Sequence, residues 1–347
     1  MSLSTDFERV TLPLADPFGI ARNRTEAATN VVVRVADEDG TVGVGAAAPS
    51  EYYGETPGSV ERALPDLLLA VEDVGDPHAQ QSIERETRDR APDEAAARAA
   101  VSVAVHDLAA RQEAEPLYRR WGFDPAATPL TSFTVGIDTP ERMAEKAADA
   151  REKGYPVLKV KVGTDDDRAR VGAVREAAPE ARIRVDANCA WSPAEAIDHS
   201  RWLADHDVEF VEQPVPADDV EGLRRVSEDG SLPVAADESC VTAADVPAVA
   251  EAVDIVVVKL MKCGGVRPAT SQILTAQAHG LDVMLGCMVE SNAAIAGTCH
   301  LAPLVEYADL DGALLLSEDR YDGVPVHDGR IDLGAVDAGT GAKPLVE

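Results

Sequence analysis

Lys161, Asp186, Glu212, Asp237 and Lys259 are separated by 25, 26, 25 and 22 residues, each at or near the end of a short aliphatic run. The runs read Val157-Leu-Lys-Val-Lys-Val162, Ile183-Arg-Val-Asp186, Phe210-Val-Glu212, Val234-Ala-Ala-Asp237 and Ile255-Val-Val-Val-Lys259. In a parallel barrel, one strand, one helix and two short loops consume about 25 residues. The spacing therefore predicts five successive βα units, each raising one charged group at the C-terminal rim. Asp186, Glu212 and Asp237 are hard oxygen donors with no His or Cys in register, a set that suits Mg2+ rather than zinc. Any one of these carboxylates could instead cap the following helix. Three converging without a cation would repel and raise one another's pKa values, so a shared metal is the better account.

The lysines supply the complementary chemistry. A lysine acts as a base only when burial or a nearby cation lowers its pKa. In Lys159-Val-Lys161 the two-residue alternation points both ammonium groups to one side of the strand. Each is expected to disfavour the other's charge, with a metal adding to the effect. Lys259 ends a run of four aliphatics, which argues against a solvated surface role, while Lys262 is left open as a loop charge. With Mg2+ holding a substrate carboxylate, the α-proton becomes acidic enough for one lysine to remove. The enediolate so formed is stabilised by the metal, and the opposite lysine returns a proton to the other face. The net result is inversion at the α-carbon.

Elements able to position these groups follow from hydrophobic periodicity. Residues 5–14, 28–38 and 41–48 read as strands, with a turn at Asp37-Glu-Asp-Gly40. Helical patterns over 58–73, 78–89 and 93–112 follow, which marks an α+β domain over residues 1–125. From 126 to 317 strand and helix patterns alternate. Eight strand candidates, at 132–136, 157–162, 183–187, 209–213, 234–237, 255–260, 282–288 and 307–310, favour a barrel over an open doubly wound sheet. The tail, 318–347, is expected to return to the first domain. No GxGxxG or P-loop pattern follows any strand, which removes the usual nucleotide sites.

Bulk properties narrow the partners. The 347 residues are 45% hydrophobic, enough for a large barrel and a smaller domain. No apolar run approaches a membrane span, and the N-terminus lacks the features of a signal peptide. With five cysteines and no CxxC pair, reduced thiols in a cytoplasmic protein are expected. The net charge of −30 opposes binding to nucleic acid or anionic membrane. It is spread along the chain, with 25 Arg against 7 Lys, a balance that resembles the proteins of salt-accumulating halophiles. Four of those seven lysines are 159, 161, 259 and 262, clustered as surface-filling lysines would not be.

Together Lys159-Val-Lys161, Asp186-Ala-Asn188, Glu212-Gln-Pro214, Asp237-Glu-Ser239 and Lys259-Leu-Met-Lys-Cys-Gly-Gly265 resemble the enolase superfamily, and within it the muconate-lactonizing-enzyme subgroup. The likeness runs from Pro17-Phe18 to about residue 315. It implies an α/β fold, a modified TIM barrel (β/α)7β over 126–317 with an N-terminal α+β capping domain. It also implies one Mg2+ per active site on Asp186, Glu212 and Asp237, Lys161 and Lys259 as the acid/base pair, and Lys159, Asn188 and Glu238 in support. Members often form homo-oligomers, though no interface is legible in these residues.

The subgroup hosts several reactions on this set, so the substrate must be read elsewhere. Asp309-Leu-Asp311 resembles the Asp-x-Asp of dipeptide epimerases, where it holds the substrate's α-ammonium. The resemblance thus implies Mg2+-dependent epimerisation of L-Ala-Xaa dipeptides by 1,1-proton transfer. Muconate or chloromuconate cycloisomerisation, o-succinylbenzoate synthesis and N-succinylamino acid racemisation are the alternatives. Thr134, Tyr53, Arg22, Arg24 and Glu290 are the further substrate-binding candidates, Glu290 as a group favouring a cation. Neither arginine matches the spacing of the glutamate-binding arginine of Ala-Glu-type epimerases without a one-residue shift.

Overall fold

In the computed structural model, which describes residues 2–345, three antiparallel strands open the chain: β1 (Ser4–Gly19), β2 (Arg24–Ala36) and β3 (Val42–Ala47). Strand β1 is interrupted between Pro13 and Phe18, where its register against β2 shifts. Helices α1 (Pro57–Val74), α2 (Gln80–Arg90) and α3 (Ala95–Gln112) follow. Thr56 and Ser59 form a reciprocal capping box at the start of α1, satisfying donors that a helix N-terminus otherwise leaves unpaired. Helix α3 is buried on nearly all sides, and its alanines let β3 approach closely.

Eight parallel strands form the second sheet: β4 (Phe133–Val135), β5 (Val157–Lys161), β6 (Arg182–Asp186), β7 (Val208–Glu212), β8 (Val234–Ala236), β9 (Ile255–Val258), β10 (Asp282–Gly286) and β11 (Tyr307–Asp309). They pair in sequence order, and a parallel bridge from Thr131 to Ala308 joins the first to the last. Helices separate successive strands, and after β11 a short 3-10 turn at Gly312–Leu315 stands where an eighth helix would, so the architecture is (β/α)7β. The connection from β8 to β9 carries a helix of only four residues, Val246–Val249. That explains why Asp237 and Lys259 are closer in sequence than the other rungs.

Alternation sorts the barrel side chains into an outer aliphatic surface, packed on helices, and a separate inner cluster of Phe210, Ala235, Ile255, Val257 and Met284. Arg184, 2% exposed, lies 5.3 Å from the Phe210 ring and 5.0 Å from that of Tyr307. These side chains fill the barrel beneath the charged rim. The C-terminal segment touches both parts of the molecule. Tyr321 accepts from Arg34 of β2, while the hairpin of Val326–His327 and Arg330–Ile331 lies against the entry to β4. Among the described residues no helix is long and apolar enough to cross a membrane.

Candidate active site

Register carries the charged residues to one rim. Lys161 of β5 stands opposite Asp186 of β6, which stands opposite Glu212 of β7. Asp237 follows β8 directly, and Lys259 follows β9. All five are buried. Lys161 Nζ donates to Asp186 Oδ2 at 2.6 Å, and Lys259 Nζ to Asp237 Oδ2 at 2.8 Å. Lys159, two residues below Lys161 and 2% exposed, sits between three carboxylates. Its Nζ lies 3.1 Å from Asp186, 2.8 Å from Glu212 and 2.7 Å from Asp309.

Burial dominates the electrostatics, and the balance of neighbours decides each direction. Burial alone would raise the Asp186 carboxyl, but the ammonium groups of Lys161 and Lys159 hold it well below its ordinary value. Asp237 is lowered likewise against burial, by Lys259 and Lys262. Glu212 is pushed up to about 8 by burial and by the charge of Asp186. For Lys259 burial favours the neutral form, yet Asp237 outweighs it and the ammonium is stabilised. Lys159 is raised in the same way by Asp309, Glu212 and Asp186. Lys159 and Lys259 thus depart from the expectation that neighbouring cations would lower them, since each meets more carboxylate than cation.

Among the described residues, no three Asp, Glu, His or Cys side chains stand as a ready metal cage, because these oxygens are turned to ammonium groups. The donors themselves fit a hard dication. Three carboxylates on consecutive strands are wholly desolvated, and Glu212 Oε2, though 2.8 Å from Lys159, makes no hydrogen bond. Asp186, Glu212 and Asp237 are thus the residues able to hold one.

Loops between strand and helix brace this set. Gln213, buried and at φ 35°, accepts from the backbone of Asp237 at 3.0 Å and of Ser239 at 3.1 Å, which gives the Glu-Gln-Pro motif its structural content. Asn188, at φ 44°, donates its backbone N–H to Asp186 Oδ1. Lys262, left open from the sequence, is fully buried. Its Nζ donates to Asp237 Oδ1 at 2.7 Å and to the carbonyls of Asp237, Val257 and Cys240. It fixes Asp237 from behind.

Across the barrel, Asp309 Oδ1 accepts from Ser132 Oγ at 2.5 Å and Oδ2 from Lys159. Asp311 Oδ2 accepts from the backbone N–H of Thr134 at 2.6 Å. Burial and the adjacent Asp309 charge push the Asp311 carboxyl up to about 7. Ser132 was not singled out from the sequence, since it neither ends a run nor repeats a spacing.

These groups face a cavity of about 650 Å³ bordered above by the first sheet and its loops. Lys159, Lys161, Asn188, Asp237, Glu238, Lys259, Asp309, Asp311 and Thr134 line its barrel side, and Arg22 and Tyr53 line its upper side. Asp186 and Glu212, fully buried, do not line the cavity, and two substrate-binding candidates lie elsewhere. Arg24 is half exposed and pairs with Asp138 at 3.6 Å, outside the cavity, because alternation along β2 turns it to solvent. Glu290 is buried behind the wall formed by Cys287, Met288 and Val289, where Oε1 accepts from the backbone of Met288 at 2.8 Å. It does not reach the cavity. All five cysteines are free.

Residues 4–122 match the N-terminal domain model of the mandelate racemase / muconate lactonizing enzymes, and residues 142–345 match the enolase C-terminal domain-like model. The chain is 36% identical over 323 residues to the L-Ala-D/L-Glu epimerase of Bacteroides thetaiotaomicron, covering 93% of this chain and 83% of that one. It superposes on the dipeptide epimerase of Enterococcus faecalis V583, complexed with Mg and L-Leu-L-Tyr, with a TM-score of 0.91 at 32% identity, covering 99% and 100% of the two chains. The dipeptide epimerase of Methylococcus capsulatus, complexed with Mg and L-Arg-D-Lys, gives 0.90 at 34% identity, with 99% of each chain covered. Acidic, aromatic and cationic residues thus occur in the dipeptides of relatives at nearly equal distance.

Proposed function

The chain belongs to the mandelate racemase / muconate lactonizing enzyme family of the enolase superfamily, and on that premise we propose that it is a Mg2+-dependent dipeptide epimerase. In this reading residues 1–125 form the cap, joined by the tail 318–347, and residues 126–317 the catalytic barrel. The observation that carries the proposal is the placement of two lysines on strands four apart, β5 and β9, with three carboxylates on the strands between them. Strands four apart in an eight-stranded barrel face each other across it.

Asp186, Glu212 and Asp237 would hold one Mg2+, a charge that would attract the substrate carboxylate and offset the charge gathering there when the α-proton leaves. One of Lys161 and Lys259 takes that proton and the other delivers one to the opposite face, inverting the centre. Lys262 and Gln213 keep Asp237 in place, Asn188 and Glu238 flank the carboxylates, and Lys159 ties Glu212 to Asp309. Asp311, whose second oxygen carries no hydrogen bond among the described residues, receives the dipeptide ammonium, with Asp309 beside it. This acidic end favours a dipeptide over the dianionic substrates of cycloisomerases and over N-succinylated amino acids, none of which offers an ammonium there.

Incubation of an L,L-dipeptide library with the Mg2+-loaded protein in D2O, at high salt to screen the −30 charge, tests this. The expected result is a gain of one mass unit with formation of the epimer. Absence of exchange across the library, or turnover of muconate instead, overturns it.

A further inference from the structure

Strand β2 reads Thr29-Asn-Val-Val-Val33 at its centre, and within it the side chain of Asn30 is 1% exposed. A buried amide is stable only where its donor and acceptor are both paired. Asn30 directs both to one loop of the barrel. Its Oδ1 accepts from the Ser291 N–H at 2.8 Å, and its Nδ2 donates to the Val289 carbonyl at 3.3 Å. Because one partner can only donate and the other only accept, the orientation of the amide is fixed. The two contacts bracket Glu290, so a side chain from the first sheet grips the loop backbone much as a neighbouring strand would.

That loop, residues 287–291, touches both ends of the reaction centre. Gly286 is the last paired residue of β10, and the loop sets the course of the chain beyond it. The Lys259 stem rests on this glycine: a Cβ there would stand 2.8 Å from the lysine Cε. Farther along, the loop lies against Gly312, next to Asp311, where a Cβ would collide with the Met288 carbonyl and stand 3.0 Å from the Glu290 nitrogen. Cys287 Sγ donates to the Asp309 carbonyl at 3.3 Å. Burial pushes the Glu290 carboxyl up to about 7, opposed by the Met288 N–H and by the charge of Lys259, so the loop lies within the field of that lysine. The far end of the loop is held separately. Asp319 of the C-terminal segment accepts from Ser291 Oγ and from the Asn292 N–H, both at 2.7 Å, at the start of the helix Asn292–Cys299. Lys161 stands on β5, where its ammonium donates to Asp186.

Resting on the epimerase reading, we propose that Asn30 is a positioning residue for proton transfer at Lys259. Its amide fixes the loop after β10, and that loop fixes the wall on which the lysine stem rests.

The test uses the full-length Mg2+-loaded protein in D2O, with the L-Ala-L-Xaa and L-Ala-D-Xaa pair that the wild type exchanges fastest. Lys259→Ala first marks the face: the epimer whose exchange it abolishes is the one this lysine serves. Asn30→Leu keeps the volume and removes both hydrogen bonds. A displacement of about 1 Å costs on the order of 100-fold, and a relaxed loop passes on part of that. At saturating substrate the variant should therefore slow exchange of the marked epimer by about 10-fold or more, and leave the other within about twofold of wild type. Asn30→Ala, should the leucine variant not fold, is expected to do the same. Amide hydrogen exchange over residues 287–291 should quicken in either. Loss of stability alone lowers the amount of active protein and slows both epimers equally. Equal slowing, slowing confined to the unmarked epimer, or unchanged rates on both overturns the proposal while leaving epimerisation intact. Failure of the wild type to exchange any dipeptide overturns the epimerase reading and the proposal with it.

Discussion

Replacing Gly286 by alanine would place a methyl group 2.8 Å from Cε and 3.3 Å from Cγ of Lys259, and 3.1 Å from Cγ1 of Val257. Non-bonded carbons settle at about 3.5–4.0 Å, so something must yield by about 1 Å. Val257 is fully buried in the inner barrel cluster, and the flexible lysine stem gives way first. Lys259 then loses its 2.8 Å contact with Asp237 and its approach to the α-carbon. A misplacement of about 1 Å costs on the order of 100-fold in rate, equivalent to about 2.7 kcal/mol of transition-state stabilisation. Lys161, on the opposite wall, is untouched. The loss is therefore one-sided: in D2O the epimer whose α-proton faces Lys259 exchanges about 100-fold more slowly, while its partner keeps its exchange with Lys161. Interconversion slows in both directions because it needs both lysines. Deuterium uptake by each pure epimer, followed by mass spectrometry before conversion, reads this directly. Overpacking of this kind costs about 1–3 kcal/mol of stability, so thermal unfolding is followed in parallel. Equal loss on both epimers in a folded variant, or loss on neither, would refute the argument.

Lys262→Met removes the donor shared by Asp237 Oδ1 and three carbonyls in a dry site, and should destabilise the fold by about 3–5 kcal/mol, read as a lower urea midpoint at unchanged slope. His300, fully buried, accepts from the Tyr118 N–H at Nδ1 and donates from Nε2 to the Thr340 carbonyl, and burial lowers its pKa from 6.5 to about 4. Between these values the unfolded chain binds the proton and the folded one does not, so stability is full above pH 6.5, falls as pH drops, and is lower by about 3 kcal/mol below pH 4. Denaturant titrations of wild type and His300→Gln should show that part of the slope vanish in the variant.

The barrel and its charged rim were legible because both rest on local pattern. Each rung ends an aliphatic run, and alternation alone decides that Lys159 and Lys161 share a face. What lay beyond the sequence depends on neighbours across the barrel. Ser132 meets Asp309 only because β4 closes against β11, through residues 177 positions apart. Gly286 carries no chemistry of its own, and its meaning is the Lys259 stem that lies where its side chain would be. Gly265, at φ 130°, is similar: a Cβ there would stand 2.5 Å from that of Ser102 on α3, so the Gly-Gly pair admits the cap helix against the Lys259 loop. Glu290 misled for the converse reason, because a bend after β10 folds its carboxylate back onto the Met288 N–H, behind the wall and out of the cavity.

The lysine ionisation shows why residue types alone do not settle function at such a site. Lys159 and Lys161 were expected to weaken each other's charge. Yet Lys159 also touches Asp186, Glu212 and Asp309, while Lys259 touches Asp237, and these attractions prevail. An ammonium so held cannot accept a proton. A dication shared by Asp186, Glu212 and Asp237 would draw those carboxylates away from the lysines and oppose the ammonium charge directly. The same three carboxylates therefore govern metal affinity and base strength together, and neither can be altered by mutation without the other. Lys262 stands outside this exchange: three of its four partners are backbone carbonyls, so it keeps Asp237 oriented whichever cation the other oxygen of that carboxylate serves.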